Sequence, residues 1–454
     1  MRLLVLTVTV ALAVAGSASA ELVARVPDGV IAVTPSGAPL VGYVHGRTLV
    51  IAQRKARDRW TGTAVGRVAP GSRLAAFRAG AAGPVAVVVG PGERSLSVFR
   101  RGGGRWLRTP LVARLEADLS LGWPGLALDA HGLPIVAYTR WHARSQFSQL
   151  ILTKIDARGK AHSLRITAGG WPKSFTAPPA APIVLRNGSV HVVETYGISG
   201  AVGTLEWMPR NGTWIGLFLS AGRGGFPIGP IFAVRGRGAV VYAAWTEAFP
   251  GSLYGGFPAT LATHAHEITE QIVSERGLTA GLVMTPHGPE VAANEWVSSN
   301  EVSFSFPEQG AVWAGTISGR AGGEVDGRIV GLAAVPGGGQ DLLLAEPGGL
   351  SWFRAPSVLR VHVTLNAEER GDGTIALAGR VEGARAGRVT IYRERSGGHR
   401  EKVGTPKLGA GGDFNLVDSA RTSPAFYRAV YTDPASGIPY AKLLRNPVGS
   451  APGN

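Results

Sequence analysis

The chain has 454 residues, 45% hydrophobic and 17% charged, with 65 glycines, 30 prolines, no cysteine and a formal net charge of +15. Such an apolar chain does not stay disordered, its glycines follow no collagen period, and it exceeds the roughly 250–300 residues that one core fills. The lack of cysteine excludes a disulfide framework, a thiolate zinc site and a cysteine nucleophile.

The first predicted element is MRLLVLTVTVALAVAGSASA, residues 1–20, where Arg2 precedes an apolar run from Leu3 to Ala15 and then Ala18-Ser19-Ala20. A run of 13 residues suits a secretory signal peptide and is too short to span a bilayer. Cleavage after Ala20 leaves a chain starting at Glu21 with a net charge of +14. Nothing later is apolar enough for a membrane helix, so the expectation is a secreted protein without membrane insertion.

From residue 21 onward, glycine-centred turns recur between short β-rich runs. They fall at Gly37, Gly83, Gly132, Gly188, Gly238, Gly288 and Gly338, at intervals of 46, 49, 56, 50, 50 and 50 residues. Glycine supplies the positive φ of a tight hairpin. A repeat of about 50 residues holds four strands and their turns, the size of a propeller blade. One unit spells this out: PGLALD (124–129), LPIVAYTRW (133–141), QLILTKID (149–156) and HSLRITAG (162–169). Trp60, Trp106 and Trp214 each follow a polar turn before the outer strand and are assigned to packing, with Trp313 at the same position. The segment 264–277, HAHEITEQIVSERG, suits a helix or a strand-turn-strand equally. The last unit is short of one strand and the first has a spare, ELVARV (21–26), which is expected to complete the last sheet and close the ring.

The period stops at Ala355-Pro356-Ser357. Seven short β-rich segments follow, from VLRVHVTLN to IPYAKLLRN, as in an immunoglobulin-like sandwich. The fold expected is all-β: a seven-bladed β-propeller over 21–356, an Ig-like β-sandwich over 357–448 and a polar, disordered tail over 449–454.

The unit LDAHGLPIVAYTRW resembles the blades of secreted bacterial propellers of the sialidase-like group, and GRVTIYRERSGG, GDFNL and YRAVYTD resemble Ig-like or fibronectin-like domains of bacterial extracellular proteins. The Ser-x-Asp-x-Gly-x-Thr-Trp box of sialidases is absent, and Phe353-Arg354-Ala355-Pro356 departs from their Phe-Arg-Ile-Pro motif. No catalytic residue is carried over from the resemblance.

The sequence has no Gly-x-Ser-x-Gly elbow, no phosphate-binding glycine loop, no dinucleotide fingerprint and no EF-hand loop. His264 and His266 could share one strand face, but a pair of surface histidines is the simpler reading, and neither a metal nor a cofactor is expected. Asn187-Gly-Ser189 and Asn211-Gly-Thr213 read as hairpin turns. Lysine is rare at seven residues, so the positive charge is mainly arginine, which suits carboxylate and sulfate groups. No run of five basic residues occurs, and nucleic acid is not an expected partner.

Site residues come from position. In a blade, the second strand exits on the side opposite the first hairpin. Tyr43, Arg140, Trp141, Glu194, Tyr196, Trp245, Glu247, Glu295 and Trp296 all lie at such exits, together with His45 and Tyr138. Aromatic and charged side chains gathered on one face would bind an extracellular glycan or protein. The opposing reading is that the aromatics pack between sheets. The alternative function is a glycoside hydrolase or lyase using Glu194, Glu247 and Glu295, since paired carboxylates serve that chemistry. A third is a structural scaffold for envelope proteins.

Overall fold

A computed structural model describes residues 21–448 apart from 57–58, 168–176, 199–200, 221–225, 237–239, 249–258, 265–267, 275–276, 287, 296–308, 315–320, 347, 356–360, 385, 395–399, 420–424 and 445–447. The expected signal peptide and the polar tail lie outside the described residues. Among those residues the chain is all-β, and its one helical turn is the short 3-10 segment Pro91–Glu93. No described helix is long and apolar enough to cross a membrane.

The first antiparallel sheet runs Val30–Val33, Pro39–His45, Thr48–Ala56 and Arg59–Arg67, its strands in chain order. The same meander recurs over 73–112, 119–165, 180–220, 226–274 and 277–326. The last sheet has only Arg328–Ala334, Gln340–Glu346 and Gly349–Ala355 from its own stretch, and Glu21–Ala24 pairs with 349–355 as its fourth strand. That is the closure expected from the spare segment. Gly349 permits it: its φ is +130°, and a Cβ there would lie 2.1 Å from the Ala24 carbonyl oxygen. Glu21 is held from the first sheet by Arg54, whose Nε and Nη2 donate to the carboxylate at 2.7 and 2.5 Å.

The first strands touch one another in order, and 328–334 touches 30–33, so the propeller-like array closes on itself. Apolar clusters fill the gaps between neighbouring sheets. Ala32, Leu49 and Ile51 meet Phe77, Ala86 and Val88, while Val85, Val87 and Val98 face Leu126, Val136 and Tyr138. A sheet between two neighbours buries both faces, so PVAVVV carries no polar alternation. Each valine so buried contributes about 1.5–3 kcal/mol before entropy. Second strands also bond across to the next sheet. Thr139 Oγ1 donates to the Pro178 carbonyl at 2.5 Å, and the Thr279 amide to Thr246 Oγ1 at 2.8 Å. The Asn294 amide group gives and takes a bond with the Ile329 backbone at 2.8 and 2.7 Å.

The glycine turns have the expected geometry at Gly37, Gly83, Gly132, Gly188, Gly288 and Gly338, all with positive φ, and Gly238 lies outside the described residues. Asn211 and Gly212 both have positive φ, which makes that pair a hairpin turn. Two expectations need correcting. Trp313 is on the third strand of its sheet, Gln309–Ala314, opposite Val291, and not at the start of an outer strand. The helix option for 264–277 is replaced by strands Ala259–His264 and Ile268–Ser274, in which Thr260, Thr263, Ile268, Thr269, Ile272 and Val273 are β-branched and favour a strand.

Beyond 360, seven strands form two antiparallel layers. One is His362–Glu369, Ile375–Glu382 and Asp413–Asp418; the other is Val389–Glu394, Arg400–Gly404, Phe426–Thr432 and Pro439–Leu443. Val363, Leu377, Ile391 and Phe414 are buried in a cluster these layers share with Leu342 and Phe353 of the last ring sheet. The second layer continues the ring's 277–326 sheet through the pair Val325–Tyr440. Arg428 is 0% exposed; its Nε donates to Glu394 at 2.6 Å and its Nη1 to Asp326 of the ring at 3.1 Å. Lys442 Nζ meets Glu324 at 2.8 Å. The C-terminal unit is joined to the ring by a shared sheet and buried charge.

Candidate functional site: the central cavity

Because the first strands stand side by side around one axis, they enclose a cavity of about 1320 Å³. That exceeds the roughly 300–1,000 Å³ of most small-molecule sites. Thr246 and Asn294, near the ends of second strands, also line it. Glu394 and Arg400 of the C-terminal unit complete the lining. The wall is mostly glycine, alanine, proline and branched aliphatic residues.

Most charged groups of the lining have partners. Arg400 bonds Asp326 at 3.0 Å and Glu394 at 2.8 Å. Arg328 donates to the Pro27 carbonyl at 2.7 Å. Glu346 accepts the Ser351 hydroxyl, and Asp28 accepts the Gly29 amide at 3.0 Å. Trp123 lies under the Arg73 guanidinium, 3.5 Å from the ring centroid, and donates from Nε1 to the Ala75 carbonyl. Arg73 is paired with Glu93 at 2.9 Å. The exception is Arg78 on the first strand of the second sheet. It lines the cavity, is exposed to its solvent and has no partner among the described residues. With no carboxylate to offset its enclosure by protein, desolvation pulls its pKa below the ordinary arginine value.

The residues expected from second-strand exits do share that end of their strands, as Tyr43, Arg140, Trp141, Glu194, Tyr196, Trp245, Glu247 and Glu295 all lie there. Trp296 lies outside the described residues. Presentation differs sharply among them. Trp245 is 1% exposed, packed with Ile183, Val193 and Leu219 between two sheets. Glu194 is 0% exposed and accepts Trp207 Nε1 at 3.1 Å, while its other oxygen has no partner. Neither presents a surface to a ligand, because strand alternation turns both into the gaps between sheets. Burial pushes the Glu194 pKa up to about 8. Tyr43 is half-buried beside Trp60 and Trp352, and burial raises its pKa. Arg140 and Trp141 are half-buried, and Arg140 Nε is shielded without a partner. Tyr196, Glu247 and Glu295 stand opposite Gly203, Pro227 and Gly277. Trp60, Trp106 and Trp214 pack against cores as expected.

Arg78 and Trp123 were missed by reasoning from strand exits, because the cavity is lined by first strands. A signal was present: RLAAFRAG carries Arg78 within the strand, whereas Arg235 and Arg328 stand at the ends of theirs.

One chain of polar groups has the residue types of a hydrolytic relay. His142 Nε2 lies 2.6 Å from Asp118 and its Nδ1 2.8 Å from the Ser145 hydroxyl. Nδ1 also accepts the Ser145 amide at 3.2 Å, so the cluster closes a local turn, and it is not part of the cavity wall. The bonds of Asp118 to backbone and to His142 lower its pKa. Among the described residues no group of three His, Cys, Asp or Glu could hold a metal.

No protein-family model and no curated relative matches the chain. Solved structures similar to it include a putative 6-phosphogluconolactonase from Bacteroides uniformis, at 10% identity over 91% of this chain and 98% of that one, TM-score 0.41. An exo-β-1,3-galactanase from Phanerochaete chrysosporium aligns at 9% identity over 79% and 93%, TM-score 0.36. A fucose lectin from Kordia zhangzhouensis aligns at 10% over 34% and 99%, TM-score 0.26. At such identities and scores these likenesses give no reason to transfer an activity.

Proposed function

We propose that the chain is an exported, non-enzymatic binding protein, built as a seven-bladed β-propeller with an Ig-like sandwich, that takes an extracellular glycan in its central cavity. Seven glycine-hairpin units and a closing strand support the blade count, and a sequence of signal-peptide form supports export. Of the two partners expected, glycan or protein, the cavity favours the glycan. A folded protein surface cannot enter about 1320 Å³ enclosed by rigid sheets, whereas the end of a sugar chain can. That cavity is the observation that carries the reading. The alternative, a glycoside hydrolase or lyase, needs two available carboxylates. Asp326 and Glu394 are held by arginines and Glu194 is buried away from the cavity, so such chemistry would have to use Asp28 and Glu346, the remaining carboxylates of the lining.

A glycan array probed with the mature wild type, Trp141→Ala and Ala280→Trp tests this. Ala280 lines the cavity, so its enlargement should abolish the hits while Trp141→Ala keeps them. Hits lost only with Trp141→Ala would put the ligand on the rim of second-strand exits, and an array without hits would remove the glycan reading.

A further inference from the structure

Six positions before the hairpin glycines 37, 132, 188, 288 and 338 stand Ile31, Leu126, Pro182, Leu282 and Leu332, and all of these line the wall. In the second sheet that position is Phe77, which also lines the wall, and the next residue, Arg78, brings a charge to it. Strand alternation sets Arg78 on the face opposite Phe77, which is buried against the first sheet. Its neighbours on the strand, Ala76 and Ala79, offer no polar side chain, and no described acid answers it.

A guanidinium without a counter-charge must keep its hydration, and Arg78 does so because the solvent of the cavity reaches it. The other arginines near the cavity show the usual remedy. Arg400 has two carboxylates, Arg73 has Glu93, and Arg328 has a carbonyl. Arg78 alone among these has no hydrogen-bond or ion-pair partner among the described residues, and the solvent of the cavity reaches it. The planar fork of a guanidinium matches the paired oxygens of a carboxylate or sulfate. We propose that Arg78 is an anion-recognition group in the central cavity, and that the glycan it selects is acidic, bearing a carboxylate or sulfate near the end that enters the ring. This rests on the glycan reading above and deepens it. The aliphatic collar at the same depth supplies no second cation, so one anionic group is recognised there, and the sheltered charge pair should be screened by salt less than a surface pair.

The test uses the mature full-length chain with four probes: a neutral oligosaccharide, a uronic-acid oligosaccharide, a sulfated one of similar length, and an acidic peptide. Titration calorimetry of wild type, Arg78→Gln and Arg78→Lys reads affinity. Phenylglyoxal labelling, followed by peptide mass mapping, reads the accessibility of Arg78 itself. The expected result is that one or both acidic sugars bind, that Arg78→Gln weakens them about 10–100-fold, and that Arg78→Lys weakens them less. Bound acidic sugar should also protect Arg78 from phenylglyoxal. The melting temperature of Arg78→Gln should not fall, since no native contact is lost. Comparing the two acidic sugars separates carboxylate from sulfate recognition. If neutral sugars bind as tightly as acidic ones and Arg78→Gln leaves all affinities unchanged, the anion site is wrong and the glycan reading stands. If only the acidic peptide binds and protects Arg78, the glycan class is wrong. If no sugar binds at all, the glycan reading falls and this inference with it.

Discussion

At the joint between the ring and the C-terminal unit, Arg428 is fully buried and meets Glu394 and Asp326. Inside the ring, Arg78 is open to the cavity and meets no acid. The same side chain therefore does opposite work in the two regions. Where the protein must hold two units together, charge is matched with charge and water is excluded. Where solvent reaches the interior, a charge is left unmatched, and the apolar collar around it gains nothing from it. Stability explains the first arrangement; the second is the one we assign to a ligand.

The largest expected effect tests the joint. Arg428→Ala leaves Glu394 and Asp326 without this buried partner and should destabilise the protein by about 3–5 kcal/mol. Limited proteolysis should then release the C-terminal unit. A melting curve like that of the wild type would show that the shared sheet alone holds the joint. Arg78→Gln is the contrasting variant, for which no loss is expected.

Deleting residues 21–27 comes next. It removes the fourth strand of the last sheet, exposes the edge 349–355 and leaves Arg54 without Glu21. The melting temperature should drop by about 5 °C or more. If the deletion melts unchanged, the closing strand contributes little to stability.

The third prediction concerns Glu194, the acid counterpart of the contrast, since it is buried without a cation while Glu394 is buried with two. Its pKa of about 8 in the fold lies above the roughly 4.3 of an unfolded glutamate. Between those values the folded chain holds a proton that the unfolded chain has released. Stability should therefore fall as pH rises from about 4 to about 8, by at most about 1.4 kcal/mol per unit, and level off above. Glu194→Gln should remove this slope, raising stability at pH 8 by a few kcal/mol and leaving it little changed at pH 4. Denaturant midpoints of both proteins across that range would read it, and parallel curves would refute the buried acid.

Much of the ring was legible in the residues. Gly37, Gly132 and Gly188 mark hairpins because positive φ is open to glycine at little cost. ELVARV stood out as a spare strand, and the last sheet as one strand short. Trp313 was misplaced because a tryptophan near a turn suits either end of a hairpin, and its partner Val291 is distant in sequence. The site was legible only in part. The sequence places Trp245 toward the end of a second strand, yet whether it faces a ligand or a neighbouring sheet depends on which side of the strand the next sheet covers.

Periodicity and turn chemistry are local properties, so the sequence alone determined the repeat, the all-β class, the closing segment and the break near residue 356. Which charges are answered is not local. Arg78 and Arg428 are each flanked by small or apolar residues, and nothing in those flanks separates them. Only the closure of the ring, which brings first strands from the whole length of 30–334 around one cavity, and the docking of 362–443 against it, decided that one arginine would meet carboxylates and the other would be left to solvent.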